Sequence, residues 1–136
     1  MDQTNGQVVI IQAPSEQAYH QVSNIPPLAL GVLKGYLTQN KISTDIYDLN
    51  VTLNKQKNEF PKTVWEFIYD QKRVIDYLCG EPDEEIEATI SMLLNDIDFN
   101  GRILVGISIG ADFSWLEMHG GALLAKWIHD KYHVAV

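Results

Sequence analysis

Short, continuous apolar runs alternate along the chain with longer amphipathic or polar stretches. The first run, Val8-Val9-Ile10-Ile11, lies within residues 7–13 and stops at Pro14. A β-branched run without polar alternation predicts a strand covered on both faces. Residues 15–24 are polar and aperiodic and read as a loop. Pro26 and Pro27 open a helix, since proline suits a first turn whose N–H groups have no partner. This helix is expected to run to Gln39, with Asn40 as a left-handed stop. Leu28, Ala29, Leu30, Val32, Leu33, Tyr36 and Leu37 leave it almost no polar face, which predicts burial of most of its surface. Gly31 and Gly35 each cost roughly 1 kcal/mol relative to Ala in a helix. That cost points to a neighbouring strand backbone packed closely on their face.

A second strand is expected over residues 44–49, ending at polar Asn50. Strand, helix and strand within so few residues form a βαβ unit, which imposes parallel pairing and a right-handed crossover. Residues 54–100 are polar and helical and read as an insertion that covers a sheet edge or a partner. Val64, Phe67, Ile68, Gln71, Val74, Ile75 and Leu78 follow one helical spacing. Gly80-Glu81-Pro82 breaks the chain, and Asp83 or Glu84 starts a helix bearing Ile86, Ile90, Leu93 and Leu94. A third buried strand is expected over 103–109, a turn over 110–114 and a helix over 115–131. Residues 133–136 read as the start of a fourth strand.

The expected architecture is therefore α/β: a single domain over residues 1–136, with an open parallel sheet of about four strands and flanking helices. It is Rossmann-like in class, flavodoxin- or cobalamin-binding-like in layout, and expected to be cut short at its C-terminus. In such a sheet the ligand crevice lies beyond the carboxyl ends of the strands, at the switch point of the strand order. Residues 13–15, 48–50 and 108–112 border it.

Composition narrows the choice of ligand. The net charge of −8 and the absence of any Lys/Arg run argue against nucleic acid and against anionic membranes. The single cysteine, Cys79, excludes a disulfide within the chain and any cysteine-rich cluster site. The first seven residues lack a signal-peptide pattern, and no apolar segment approaches the ~20 residues that span a bilayer. A reducing, cytoplasmic setting is expected.

The common occupants of such a crevice fail on particular residues. The turn after the first strand, Ala13-Pro14-Ser15-Glu16, has no glycine for a dinucleotide pyrophosphate. No phosphate loop is present, and Gln12 and Ala13 offer no acidic pair for magnesium. Cys79, before a Gly-Glu-Pro turn, reads as a structural thiol. His129 and His133 are expected to straddle a helix end, and His119 reads as a solvated helix residue. Asp112 and Ser114 compete as helix N-caps.

Residues 24–37, with Pro26-Pro27-Leu28-Ala29-Leu30-Gly31 at their centre, form the most specific stretch. Together with the strand ending Ala13-Pro14, with Ile46-Tyr47-Asp48-Leu49-Asn50 and with Val105-Gly106-Ile107-Ser108, they resemble the N-terminal cobalamin-binding-like domain of radical SAM enzymes. The resemblance covers nearly the whole chain and is weakest over 54–100. It implies a planar corrin over the strand ends, bordered by Pro14, Ser15, Pro27, Leu28, Asp48, Asn50, Ser108, Ile109 and Gly110. Classical cobalamin modules place Asp-x-His-x-x-Gly here, the histidine serving as lower axial ligand. This chain keeps Asp48 but has Asn50 in the histidine's place, so the resemblance implies cobalamin held without a histidine.

The [4Fe–4S] cluster and S-adenosylmethionine chemistry of such enzymes needs three cysteines. With one, this chain is expected to have no catalytic residues and no metal site of its own. The expected function is an accessory cobalamin-binding domain serving a C-terminal radical SAM domain of a parent chain, which may be a methyltransferase. The alternative is a non-enzymatic module of the same fold that has lost the cofactor and docks a peptide substrate or partner domain. Trp65, Phe67, Tyr69 and Tyr77 are its candidate anchors.

Overall fold

The computed structural model describes residues 7–14, 28–55, 65–109 and 115–136. Its elements in order are β1 (Val8–Gln12), α1 (Leu28–Gln39), β2 (Thr44–Asp48), α2 (Leu49–Lys55), a 3-10 turn (Glu66–Tyr69), α3 (Gln71–Leu78), α4 (Glu84–Leu93), β3 (Leu104–Ser108) and α5 (Trp115–Tyr132). The three strands form one parallel sheet in the order β2-β1-β3. Val8 lies level with Thr44 and Leu104, and Gln12 lies level with Asp48 and Ser108. Ala135 adds one parallel bridge to Leu104, and Val105 N donates to Ala135 O at 2.8 Å. Among the described residues this bridge does not extend into a fourth strand.

Period-2 alternation divides the strand residues between two faces. Val9, Ile11, Ala13 and Val105 point to the back. There they join Leu49 and Leu53 of α2, Val74 and Tyr77 of α3, Ile86 and Ile90 of α4, and Leu123, Leu124 and Ile128 of α5 in one core. Each such aliphatic side chain removed from water contributes roughly 1.5–3 kcal/mol. Val8 and Ile10 point to the front, where they meet Leu30, with Leu37, Ile42 and Ile46 partly buried alongside.

Caps fix the helices of the back layer. Asp70 accepts from Arg73 N at 3.0 Å at the start of α3. Asp83 accepts from Glu85 N and Ile86 N, each at 3.1 Å, at the start of α4. Glu84, Glu85 and Glu87 place negative charge in that helix's first turn, where the helix dipole favours it.

Several expectations need correction. α1 is mostly exposed: Leu30 is its one buried residue, while Leu28 is 82%, Val32 64% and Tyr36 63% exposed. The reason is geometric, because a lone helix on the front meets the sheet along one narrow stripe. A side-chain carbon added at Gly31 or Gly35 would meet nothing within 4 Å, so no strand backbone packs on them. The left-handed residue after α1 is Lys41, at φ 60°, and not Asn40. Asn40 instead donates from Nδ2 to Tyr36 O at 2.9 Å.

β3 is not buried throughout; Leu104 is 45% exposed because no helix lies over it on the front. The 54–100 insertion does not cover an edge, for its helices build the back core itself. The single helical spacing from Val64 to Leu78 splits at Asp70 into the 3-10 turn and α3. α2 follows Asp48 directly, a helix the sequence reading did not anticipate.

Candidate functional site

The strand order places the switch point between β1 and β3. α1 leaves β1 on the front, whereas α5 leaves β3 on the back, so the two chains part beyond Gln12 and Ser108. A crevice opens at such a point.

The register lines up three polar side chains across the front of this edge: Asp48 on β2, Gln12 on β1 and Ser108 on β3. Neighbouring strands are about 4.8 Å apart, so the row spans roughly 10 Å. Gln12, 6% exposed, belongs to it. The sequence reading set Gln12 aside as unable to hold magnesium; its signal was its position at the end of a buried strand.

Backbone and side-chain hydrogen bonds then tie the strand ends together. Ala13 N donates to Ser108 O at 2.9 Å, which extends the β1–β3 ladder by one residue. Asn50 Nδ2 donates to Ala13 O at 3.4 Å across 37 positions of sequence. Asn50 N donates to Asp48 Oδ1 at 2.9 Å, so Asp48 caps α2. Pro14 is fully buried beside Ala13. Pro14, Asp48, Asn50 and Ser108 thus share one edge of the sheet.

The remaining candidates divide. Leu28 stands exposed at the start of α1. Ile109 turns to the back, where its side chain lies 3.0 Å from the position a side-chain carbon would take at Gly121. Ser15, Pro27 and Gly110, with Asp112 and Ser114, lie outside the described residues.

Behind the edge, the first turns of α5 are packed tightly. A side-chain carbon at Gly120 would come within 3.1 Å of the Trp65 ring, so glycine is required for that contact. Glu117, in the first turn of α5, is buried. The Trp65 indole N–H is buried with no acceptor among the described residues. His119 is half-buried rather than solvated, with Nδ1 at 3.1 Å from Ile68 O, and so joins α5 to the 3-10 turn. His129 and His133 do straddle the end of α5, as expected.

Charge is concentrated elsewhere. Arg73 holds Asp83 through two bonds, of 2.5 and 2.8 Å, and Glu85 at 2.6 Å. The Arg73 guanidinium, helped by the two capping amides, keeps the Asp83 carboxyl below the usual carboxylate range. Burial and then the Glu87 carboxylate push the Tyr77 hydroxyl up. These groups fasten α3 to α4 and leave the crevice with no strongly charged centre.

Among the described residues, no three His, Cys, Asp or Glu side chains gather as a metal site. Cys79 is exposed at the end of α3. None of the described helices is long and apolar enough to cross a membrane. Comparison with protein-family models, with curated proteins and with solved structures finds no match for the chain.

Proposed function

We propose that the chain is a binding module whose ligand lies across the carboxyl ends of β1 and β3, and that this ligand is a cobalamin-type cofactor. The observation that carries the reading is the switch point itself, with Pro14, Asp48, Asn50 and Ser108 brought to one edge. The residues around it are small, amide-bearing or apolar, which suits a broad, largely uncharged face better than a phosphate.

The donor set fits cobalamin only without an axial ligand from this loop. Asn50 points its amide at Ala13 O, and the Asp48 carboxylate caps the following helix. In this reading both shape the floor of the site, while Ser108 and Leu28 border the ring. The cofactor, when bound, supplies the organometallic chemistry.

The module would act as an accessory domain to a radical SAM domain. The [4Fe–4S] cluster and S-adenosylmethionine belong to that domain, because one exposed cysteine does not fit a cluster site. A fourth strand growing beside β3 from the Leu104–Ala135 bridge is part of the same reading. An interaction role carried by the insertion aromatics has less support, since Trp65, Phe67 and Tyr77 are core residues and only Tyr69 is exposed.

Titration with hydroxocobalamin tests the proposal. The expected result is co-elution of the corrin absorbance with the protein on gel filtration. Elution of all the corrin at the small-molecule volume would overturn it.

A further inference from the structure

The front of the sheet carries an apolar surface that the chain leaves uncovered. Along α1, at 100° per residue, Leu30 and Leu37 face the sheet. Leu28 and Val32 then point straight out, and Ala29, Leu33 and Tyr36 point to one side. A right-handed β1–α1–β2 crossover makes that side the one facing β3. On the floor beside them lies the front of β3, with Leu104 exposed and Gly106 and Ser108 half-buried.

The glycines give a second, independent sign. Gly31 and Gly35 have open space around them, and a side-chain carbon at Gly106 would make only ordinary contacts, at 3.9 Å or more. Nothing within the chain requires glycine at these three front positions. A glycine inside a strand marks a place where another chain can approach closely.

We propose that this face is where a second copy of the chain docks. A two-fold axis parallel to the strands sets two copies front to front, with their α1 helices side by side in one layer between two sheets. The Ala29, Leu33 and Tyr36 flanks then meet each other. Leu28 and Val32 of each copy meet the uncovered β3 of the other, where Gly106 leaves room for a helix. One arc of α1 thereby fills the gap that its own fold leaves, as a self-complementary interface requires.

Charge favours a copy over an oppositely charged partner. The acidic excess sits in residues 66–98, on the back layer, and Lys34 is the one charged residue of α1. Two front faces therefore approach without the repulsion that a net charge of −8 per chain would otherwise impose. The face offers on the order of 500 Å² per copy, about the largest apolar patch that monomers display. A pair hides about 1,000 Å² in total, the lower bound for a specific interface, so the dimer should dissociate on dilution.

Sedimentation velocity of the 136-residue chain over a dilution series provides the test. The expected mass rises with concentration from 15.4 kDa toward twice that value. Val32→Glu and, separately, Tyr36→Glu should hold the chain at monomer mass with an unchanged circular dichroism spectrum, both sites being exposed. A chain that stays monomeric at every concentration overturns the proposal and leaves the face to a different polypeptide. A dimer that survives both substitutions also overturns it, by placing the contact elsewhere.

Discussion

On the back of the sheet, Gly120 and Gly121 are required by what they touch: the Trp65 ring lies 3.1 Å and the Ile109 side chain 3.0 Å from where a side-chain carbon would stand. On the front, Gly31 and Gly35 touch nothing within 4 Å. The same contrast holds for the helices. α5 buries Leu123, Leu124, Trp127 and Ile128, whereas α1, with a more continuously apolar sequence, buries Leu30 alone. Apolar content therefore does not decide burial here; the number of elements that share a face does. Four helices interlock behind three strands, and one helix on the front has no neighbour to close against.

The largest test of this contrast is paired. Trp65→Ala should cost about 3–5 kcal/mol in urea unfolding, as truncation of a fully buried aromatic does. Tyr36→Ala should cost under about 0.5 kcal/mol. Comparable losses at the two sites would break the distinction between back and front.

Next in size is Asp83→Ala, which removes the α4 cap and strands Arg73, at about 1–3 kcal/mol. Asp83 titrates lower in the folded chain than the ordinary 3.8. Its contribution is thus complete above the unfolded value and is lost as pH falls through the folded one. Chemical unfolding followed across acid pH should show part of the acid destabilisation disappearing in Asp83→Ala.

The glycines sharpen the comparison with opposite signs. Gly120→Ala should lower the melting temperature, by about 1–3 kcal/mol of overpacking against Trp65. Gly31→Ala and Gly35→Ala should each raise stability by roughly 1 kcal/mol, since the helix gains propensity and meets no obstacle.

Much of the back layer was legible in the sequence. The continuous β-branched run at β1, the βαβ spacing, the Gly80 break and the Asp83 start all follow from local chemistry that the structure displays. α2 was missed because Asp48 both ends a strand and caps a helix, and a polar Asp-Leu-Asn step reads as a loop. The exposure of α1 was missed because a helical pattern reports which residues are apolar and not how many layers lie above them. At the candidate site, the sequence singled out Asp48, Asn50 and Ser108, which the parallel register brings together. Gln12 was passed over because membership in the polar row depends on register, which is a property of three strands and not of one.

The central claim is that the edge between β1 and β3 binds a corrinoid. Equilibrium dialysis of hydroxocobalamin against the native chain and against Ser108→Tyr tests it most directly, because a tyrosine at the half-buried end of β3 fills the crevice from its floor. The account predicts retention by the native chain and loss of retention in Ser108→Tyr, with the melting temperatures alike. No retention by the native chain, or equal retention by both, would contradict it.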